Sequence, residues 1–435
     1  MSINPNGEID GRRVVVVDGL RSPFLKSGTE FSNVGVIELG ATVVAELIQR
    51  SNLNQEDLDA IVFGAVVPEI SGPNIAREIG LSIGLPYSVD AFSVSRACAT
   101  STQSVVSGAQ QILTGDADVV IAGGADTLSR PPMTYQDNLV DAMMRANAAK
   151  DLQSRIKAFA KVRPRDLAPN PPAIAERTTG ETMGESAEKM ARENGITREA
   201  QDAFALRSHE YAAAAWDEGI YDDEVMSFPV PPEYRTVVTR DNIPRPDSTL
   251  EKLASLRPVF DRRYGTVTAG NSSPLTDGAS AVILMEEQSA KRLGFTAKAV
   301  IRSWSFASIN PGWQLLMGPS FATPRALDRA GMTLKDIDII DMHEAFAAQI
   351  LSNVQAFESK SWAKKYLDRD TPIGAIDMDR FNIYGGSLSL GHPFGATGTR
   401  QILTVANELD RRGSGTALIT QCAAGGIGAA LVLER

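Results

Sequence analysis

The sequence predicts an α/β protein in which one strand-and-helix unit occurs twice, with a helix-and-loop segment interrupting the first copy. The repeat is the first observation. "LIQRSNLNQEDLDAIVFG" (Leu47–Gly64) and "ALDRAGMTLKDIDIIDMH" (Ala326–His343) align without a gap, so that Arg50 matches Arg329, Asp57 matches Asp336 and Asp59 matches Asp338. Each copy reads as a helix, a polar turn and a short apolar strand, which marks one supersecondary unit used twice. The second observation is a set of strand echoes in the same order. "RRVVVVDGLRSPF" near Arg12 is answered by "KAVIRSWSFASI" near Lys298, and "ADVVIAGGA" near Val119 by "TALITQCAAGG" near Ile419. The third is a difference in spacing. "GIGAALVLE" (Gly426–Glu434) follows its predecessor at once, whereas its counterpart "DGASAVILME" (Asp277–Glu286) comes only after a long intervening stretch.

That stretch, roughly residues 130–258, carries the Pro-rich loops "RPRDLAPNPPAI", "SFPVPPEYR" and "RDNIPRPDS", which break regular structure. Helices are expected within it near Glu185–Asn194 and Thr197–Gly219. The organisation read from this is residues 1–129 and 259–287 as the first half, 130–258 as an inserted loop domain, and 288–435 as the second half. Strands alternating with amphipathic helices imply mixed, largely parallel sheets covered on both faces. In such sheets the ligand site lies beyond the carboxyl ends of the strands.

Composition narrows the function. The chain has 435 residues, 43% hydrophobic and 22% charged, the balance of a globular protein with a full core. A net charge of −10 argues against a general nucleic-acid surface. No apolar run reaches the roughly 20 residues of a membrane span. The start "MSINPNGEIDGRR" lacks a signal-like apolar core, so a cytoplasmic location is expected. With only two cysteines a disulfide framework is not expected, and three histidines far apart in sequence argue against a metal site.

Four loops carry chemistry. "SVSRACATSTQSVVSGAQQIL" sets Cys98 between a short strand and a helix, where the helix dipole would favour thiolate. "NIYGGSLSLGHPFGATGTRQIL" places His392 at the corresponding point of the second half, so Cys98 and His392 are expected to face one shared cleft. A Cys–His pair is a standard means of activating a thiol for acyl transfer. "LITQCAAGGIGAALVLE" puts Cys422 at a strand end entering a glycine turn, whose amides are free to hold an oxyanion. "YGTVTAGNSSPLTDGASAVILM" (Tyr264–Met285) is a polar loop before a strand, either a channel wall or a plain turn. His343, in "DMHEAFAAQ", sits at a strand end by the repeat. His209, beside Glu210 on the helix "AFALRSHEYAAAAWDEG", reads as solvated helix surface.

Taken together, "SRACATSTQSV", "GHPFGATG", "CAAGGIG" and "TVTAGNSSPLTDGA", in this order and on a duplicated chain, resemble the motifs of the thiolase superfamily from about Arg12 to Arg435. The resemblance implies a thiolase fold: duplicated mixed five-stranded sheets in a five-layer αβαβα arrangement, with the inserted loop domain. It implies no bound cofactor, coenzyme A (CoA) as cosubstrate, and homodimers or larger assemblies. Cys98 is then the acyl-accepting nucleophile, His392 its activating base, and Cys422 the acid/base. His343 and His392 are implied donors to the enolate oxygen, and the amides of Cys98 and Ala424 donors to the tetrahedral intermediates. Ser273, Ala345 and Phe346 are the implied substrate and CoA contacts. His343 stands where the commonest thiolase pattern has Asn, and resembles in this the thiolase subunit of fatty-acid β-oxidation complexes. Ala424 replaces a frequent Gly, but an Ala amide still donates.

The implied reaction is thiolysis of 3-oxoacyl-CoA by CoA. The alternatives carried with it are acetoacetyl-CoA formation, a decarboxylating 3-oxoacyl synthase, and a non-catalytic lipid carrier; Cys422 argues against the synthase. Finally, Arg145–Arg165 holds seven Lys/Arg and one Asp behind an apolar stripe of Leu139, Met143, Ala146, Leu152, Ile156 and Phe159. A solvated helix, a membrane surface reached through 139–165, a hydratase/dehydrogenase partner and attraction of CoA phosphates are the readings open for it.

Overall fold

The computed structural model describes residues 3–170 and 174–435; part of the Pro-rich loop expected over 163–174 and the first two residues lie outside them. Strands β1 (Arg12–Arg21), β2 (Ala60–Gly64), β3 (Asp90–Val94), β4 (Val119–Asp126) and β5 (Thr276–Glu286) lie side by side as β1-β5-β4-β2-β3. Strands β6 (Ala299–Ser308), β7 (Ile339–Met342), β8 (Thr416–Ala423) and β9 (Ile427–Glu434) repeat that order as β6-β9-β8-β7. In both, the inner pairs β2/β4 and β7/β8 are parallel and the rest of the path back to β1 or β6 is antiparallel. The halves join where β1 meets β6, through the antiparallel pairs Val16–Ala299 and Val15–Val300.

Among the described residues, the place in the second sheet that corresponds to β3 holds only an isolated parallel bridge, Ile340 to Phe381. A regular fifth strand was expected there. Asn382 has φ 46, a left-handed conformation that ends an extended run after one residue. The chain then turns into the glycine loop that carries His392.

Helices complete the layers. They are α1 (Val36–Ser51), α2 (Ile75–Ser82), α3 (Thr100–Thr114), then α4 (Asp137–Ala148), α5 (Leu152–Ala158), α6 (Met183–Asn194) and α7 (Arg198–Asp217) in the inserted segment, followed by α8 (Gly318–Ala330), α9 (Ala347–Glu358), α10 (Ser387–Leu390) and α11 (Thr397–Arg412). Alternate strand residues feed separate cores. Ile61 and Ile121 pack against Val43 and Val44 of α1 and Ile79 of α2. Their neighbours Val62 and Val120 share a core with Val105 and Ile112 of α3, Leu403 and Leu409 of α11, and Leu431 and Leu433 of β9. On the far side Leu418 and Val432 meet Leu327 of α8 and Ile350 and Phe357 of α9. The result is helices, sheet, α3 with α11, sheet, helices: the five expected layers. Each fully buried Leu, Ile or Val in the middle layer contributes about 2 kcal/mol relative to exposure.

The repeat seen in sequence recurs in detail. Asn52 ends α1 with φ 55 and Gly331 ends α8 with φ 67. Single 3₁₀ turns follow at Gln55–Asp57 and Leu334–Asp336. Asp59 accepts from the amides of Asp118 (2.7 Å) and Val119 (2.9 Å), and Asp338 accepts from that of Thr416 (2.8 Å). Each aspartate thus pins the start of its strand to the start of the parallel neighbour.

Between β4 and β5 the chain leaves the sheet, and α6 and α7 begin where Thr182 and Thr197 cap them. A buried ion network anchors this segment to the first half. Arg21, at the end of β1, donates to Glu224 (2.9 Å) and to both oxygens of Asp241 (2.8 and 3.0 Å). Removing one partner would leave an uncompensated charge in the core.

Candidate active site

Cys98 and His392 stand immediately before the two central helices. After β3 the chain turns sharply at Ala97, whose φ of 45 is strained for a residue with a side chain. Amides of Ala99 and Thr100 close that turn on the carbonyls of Arg96 and Ala97. On the other side Pro393 leads from His392 into α11. The helix N-termini then abut: the Thr399 amide donates to Ser101 Oγ at 3.0 Å, and a Cβ at Gly398 would lie 2.3 Å from Thr102 Oγ1. A second close approach lies beside it. A Cβ at Gly124 would sit 2.0 Å from the Gly395 carbonyl oxygen. Asp126, two residues beyond Gly124, accepts from the amides of Gly395, Val66 and Val67, tying the histidine loop to the first half.

Cys98 does not occupy the first helical turn. It precedes Thr100, the first residue of α3, and is half-buried. Burial pushes its thiol up to about 11; the Ala424 amide opposes this and the Asp126 charge adds to it. Desolvation thus works against the thiolate expected from the helix dipole and favours a thiol that needs a base.

His343 follows β7, its amide donating to the Thr420 carbonyl at 2.9 Å. The His343 and His392 rings are 4.1 Å apart between centroids. One donor atom from each ring and the Cys98 sulfur all lie within 4.8 Å of one another. His392 Nδ1 is 2.6 Å from Thr397 Oγ1, and that hydroxyl donates to the Pro393 carbonyl at 3.0 Å. A Thr397 hydroxyl that donates to Pro393 accepts from Nδ1, the arrangement in which the His392 proton sits on Nδ1 and Nε2 is bare. Burial, then the nearby Arg400 charge, pushes His392 down to about 3. Burial, then His392 and Arg400, holds His343 well below the usual range. Both rings are neutral near pH 7. A neutral His392 with a bare Nε2 beside a Cys98 thiol has the form of a general base.

Cys422 is the penultimate residue of β8, and Gly425 (φ 81) and Gly426 (φ 68) make the turn into β9. It is buried among Met190, Val267, Met317 and Phe346. Burial, then proximity to Cys98, raises its thiol well above the ordinary value. A thiol held neutral is a proton donor in waiting. The amides of both Ala424 and Cys98 itself approach the Cys98 sulfur.

The three expected substrate contacts divide. Ser273 lines a cleft of about 560 Å³, together with Lys26, Arg245, Lys252, Ser272 and Leu388. Ala345 and Phe346 do not line it. They lie buried behind, joined to it where the Ser273 amide donates to the Ala345 carbonyl at 3.0 Å. A larger groove of about 740 Å³, along Ile3, Leu113, Trp304 and Arg329, contains none of the site residues.

Two sequence readings are corrected. His209 is not solvated: it is buried, accepts from the Arg245 amide at 3.3 Å, and is pushed down to about 4 by burial and then by Arg245. The alanines around it gave a weak amphipathic pattern that hid its inward face. The argument against a metal rested on histidines far apart in sequence, and the fold brings two of them together with Cys98 in a three-donor group. Sequence reasoning also missed Asp126, Thr397, Glu344 and Ser387. Their only signal was position: Thr397, Glu344 and Ser387 lie inside the quoted stretches, and Asp126 directly follows one.

The profile for the thiolase N-terminal domain matches residues 14–288 and that for the thiolase C-terminal domain residues 295–435. A 3-ketoacyl-CoA thiolase of Yersinia pestis (strain Pestoides F) is 51% identical over 424 residues, covering 98% of this chain and 97% of the relative. Human mitochondrial 3-ketoacyl-CoA thiolase, solved in complex with CoA, superimposes with a TM-score of 0.80 at 30% identity over 98% of both chains. The Bacillus anthracis acetyl-CoA acetyltransferase gives 0.84 at 31% identity over 99% of both. With both profiles matched, nearly full-length identity of one half, and the duplicated five-layer fold in place, the chain belongs to the thiolase family of acyltransferases.

Proposed function

We propose that the chain cleaves 3-oxoacyl-CoA with CoA, giving acetyl-CoA and a shortened acyl-CoA. The convergence of the Cys98 sulfur with His343 and His392 within 4.8 Å carries this reading. His392 Nε2 takes the Cys98 proton, and the sulfur attacks the 3-oxo carbon. The resulting oxyanion lies toward the amides of Cys98 and Ala424. Collapse breaks the C2–C3 bond and leaves an acyl group on Cys98, with the electron pair on the departing acetyl-CoA enolate. Nε2–H groups of His392, now protonated, and His343 face the enolate oxygen, and Cys422 gives its proton to C2. In the second half Cys422 thiolate removes the proton of an incoming CoA thiol. CoA sulfur then attacks the thioester, and Cys98 leaves and recovers its proton from His392. Protons and electron pairs balance over the two half-reactions.

The Ser273 cleft suits the CoA moiety. Lys26, Arg245 and Lys252 around its rim match a phosphorylated nucleotide, while Leu388 marks the inner end, on the same short helix as the serine bonded to His343. Thiolysis assayed from acetoacetyl-CoA upward in chain length tests the proposal. Longer substrates turning over faster fits a degradative role in fatty-acid β-oxidation. Activity confined to acetoacetyl-CoA would favour the acetyltransferase reading instead, and no thiolysis at any length would remove the proposal.

The domain division 1–129, 130–258, 259–287 and 288–435 is kept as part of this reading, as are a homodimer or larger assembly and a cytoplasmic location. Among the described residues no helix is long and apolar enough to cross a membrane. The helical pair α4 and α5 supports a peripheral contact. Leu139 and Ala142 are buried beneath it, but Met144 (66% exposed), Leu152 (72%) and Ile156 (66%) are not. With the seven basic residues of 145–165, this face suits an anionic bilayer better than bulk water. A hydratase/dehydrogenase partner is the other candidate for it. Wild-type protein is expected to co-sediment with anionic liposomes and not with neutral ones, and an Arg155→Glu, Lys157→Glu, Lys161→Glu variant to stay in solution. Equal behaviour of the two proteins would remove the membrane contact.

A further inference from the structure

The two cleft histidines need different proton positions, and the fold contains a device for each. Both Nε2 atoms are buried and have no hydrogen-bond partner among the described residues. A neutral imidazole carries a single N–H. A general base needs a bare Nε2, and Thr397 supplies the matching arrangement by donating to the Pro393 carbonyl and accepting from His392 Nδ1. Were His343 in the same form, the cleft would present two acceptors to an incoming carbonyl oxygen and no side-chain donor. His343 Nδ1, however, lies 2.9 Å from Ser387 Oγ, and among the described residues that hydroxyl has no other acceptor for its proton.

We propose that Ser387 is a positioning residue: its hydroxyl donates to His343 Nδ1 and keeps the His343 proton on Nε2, facing the cleft. The surroundings hold the serine in place for this. Ser387 opens the single turn α10, and Glu344, the residue after His343, accepts from the next amide, Leu388, at 3.2 Å. The same buried carboxylate accepts from Asn382 Nδ2 and Ser208 Oγ, both at 2.7 Å. Gly386 lets the turn settle on it, since a Cβ there would lie 2.4 Å from Glu344 Cδ. Thr397 and Ser387 therefore act in opposite senses, one by accepting from Nδ1 and one by donating to it. The inference rests on the proposed thiolysis only for the use made of the donor, not for the proton position itself.

A double-mutant cycle tests the use. Asn at position 343 offers an amide donor that needs no tautomer set for it. Ser387→Ala is expected to lower kcat by roughly 10- to 100-fold with KM little changed, less than or comparable to deleting an oxyanion donor outright. In a His343→Asn background the same change is expected to have almost no effect. An equal loss in both backgrounds would mean that Ser387 merely supports the fold, and would overturn the proposal. Nitrogen-15 NMR of histidine-labelled wild-type protein tests the proton position without reference to activity. The expected signature is His343 as the Nε2–H form and His392 as the Nδ1–H form. His343 found with its proton on Nδ1 would overturn the proposal even if thiolysis proceeds; absence of thiolysis with the expected tautomers would instead count against the function.

Discussion

Cys98→Ala protein is expected to fold normally and to lose thiolysis by roughly ten-thousandfold or more, since the acyl group then has no acceptor. The side chain is half-buried and small, so little packing is lost with the sulfur. Cys422→Ala should fail differently. Cys98 still has His392 Nε2 as its base and the amides of Cys98 and Ala424 at hand, so the acyl group can load. What is missing is the proton for C2 of the enolate and the base for incoming CoA, so turnover stops after at most a slow first half-reaction. The two variants are distinguished by trapping: acyl adduct in Cys422→Ala, none in Cys98→Ala. Steady-state rates with thermal melts as the folding control check both.

A second large effect is expected at a residue with no functional group. In Gly124→Ala the new methyl would lie 2.0 Å from the Gly395 carbonyl oxygen, which is backbone and cannot rotate away. Either the loop carrying His392 moves from Cys98 or the halves separate locally, and relief by small shifts is blocked by the Asp126 bonds to Gly395, Val66 and Val67. A destabilisation of about 3 kcal/mol or more is expected, with activity lost even where the protein remains folded. Gly80→Ala is the matched control. Its Cβ would meet Ile61 at 3.5 Å and Leu85 at 3.8 Å, ordinary contacts within α2, so helix propensity should make it neutral or slightly stabilising. Thermal melts of the two variants side by side decide the point. Equal melting temperatures would show that the close approach of the halves is not a constraint.

These two effects separate what could be read in the chain from what could not. The repeat was legible because Asp59 and Asp338 do local work, pinning adjacent strands, and local work leaves a pattern at fixed spacing. His343 and His392 were found for a related reason: each sits at a joint between a strand or glycine loop and a helix. Charge state was not legible. Cys98 was expected as thiolate from the dipole of α3, yet it packs against Ala423 and Ala429, more than three hundred positions away. His209 was misplaced because its inward face is set by the Arg245 loop rather than by its own helix. Asp126 and Ser387 carried no periodicity at all. Their importance comes from what the other half of the molecule, or another loop, presents to them.

The second sheet shows the same limit at the level of the fold. A duplicated unit suggested equal sheets, but the glycine loop after Asn382 replaces a regular strand with a single bridge at Phe381. That asymmetry serves the site. The first half spends its edge on β3, which leads straight to Cys98, whereas the second half uses the corresponding chain to carry Ser387 and His392 against His343.

Cys98 is expected to become covalently acylated by the 3-oxoacyl substrate. The most direct measurement is intact-protein mass after mixing enzyme with a 3-oxoacyl-CoA in the absence of free CoA, followed by peptide mapping of the adduct. A mass increase equal to the shortened acyl group, mapping to Cys98 and discharged by added CoA, is the result predicted. An adduct on Cys422, or turnover with no adduct on Cys98, would contradict it.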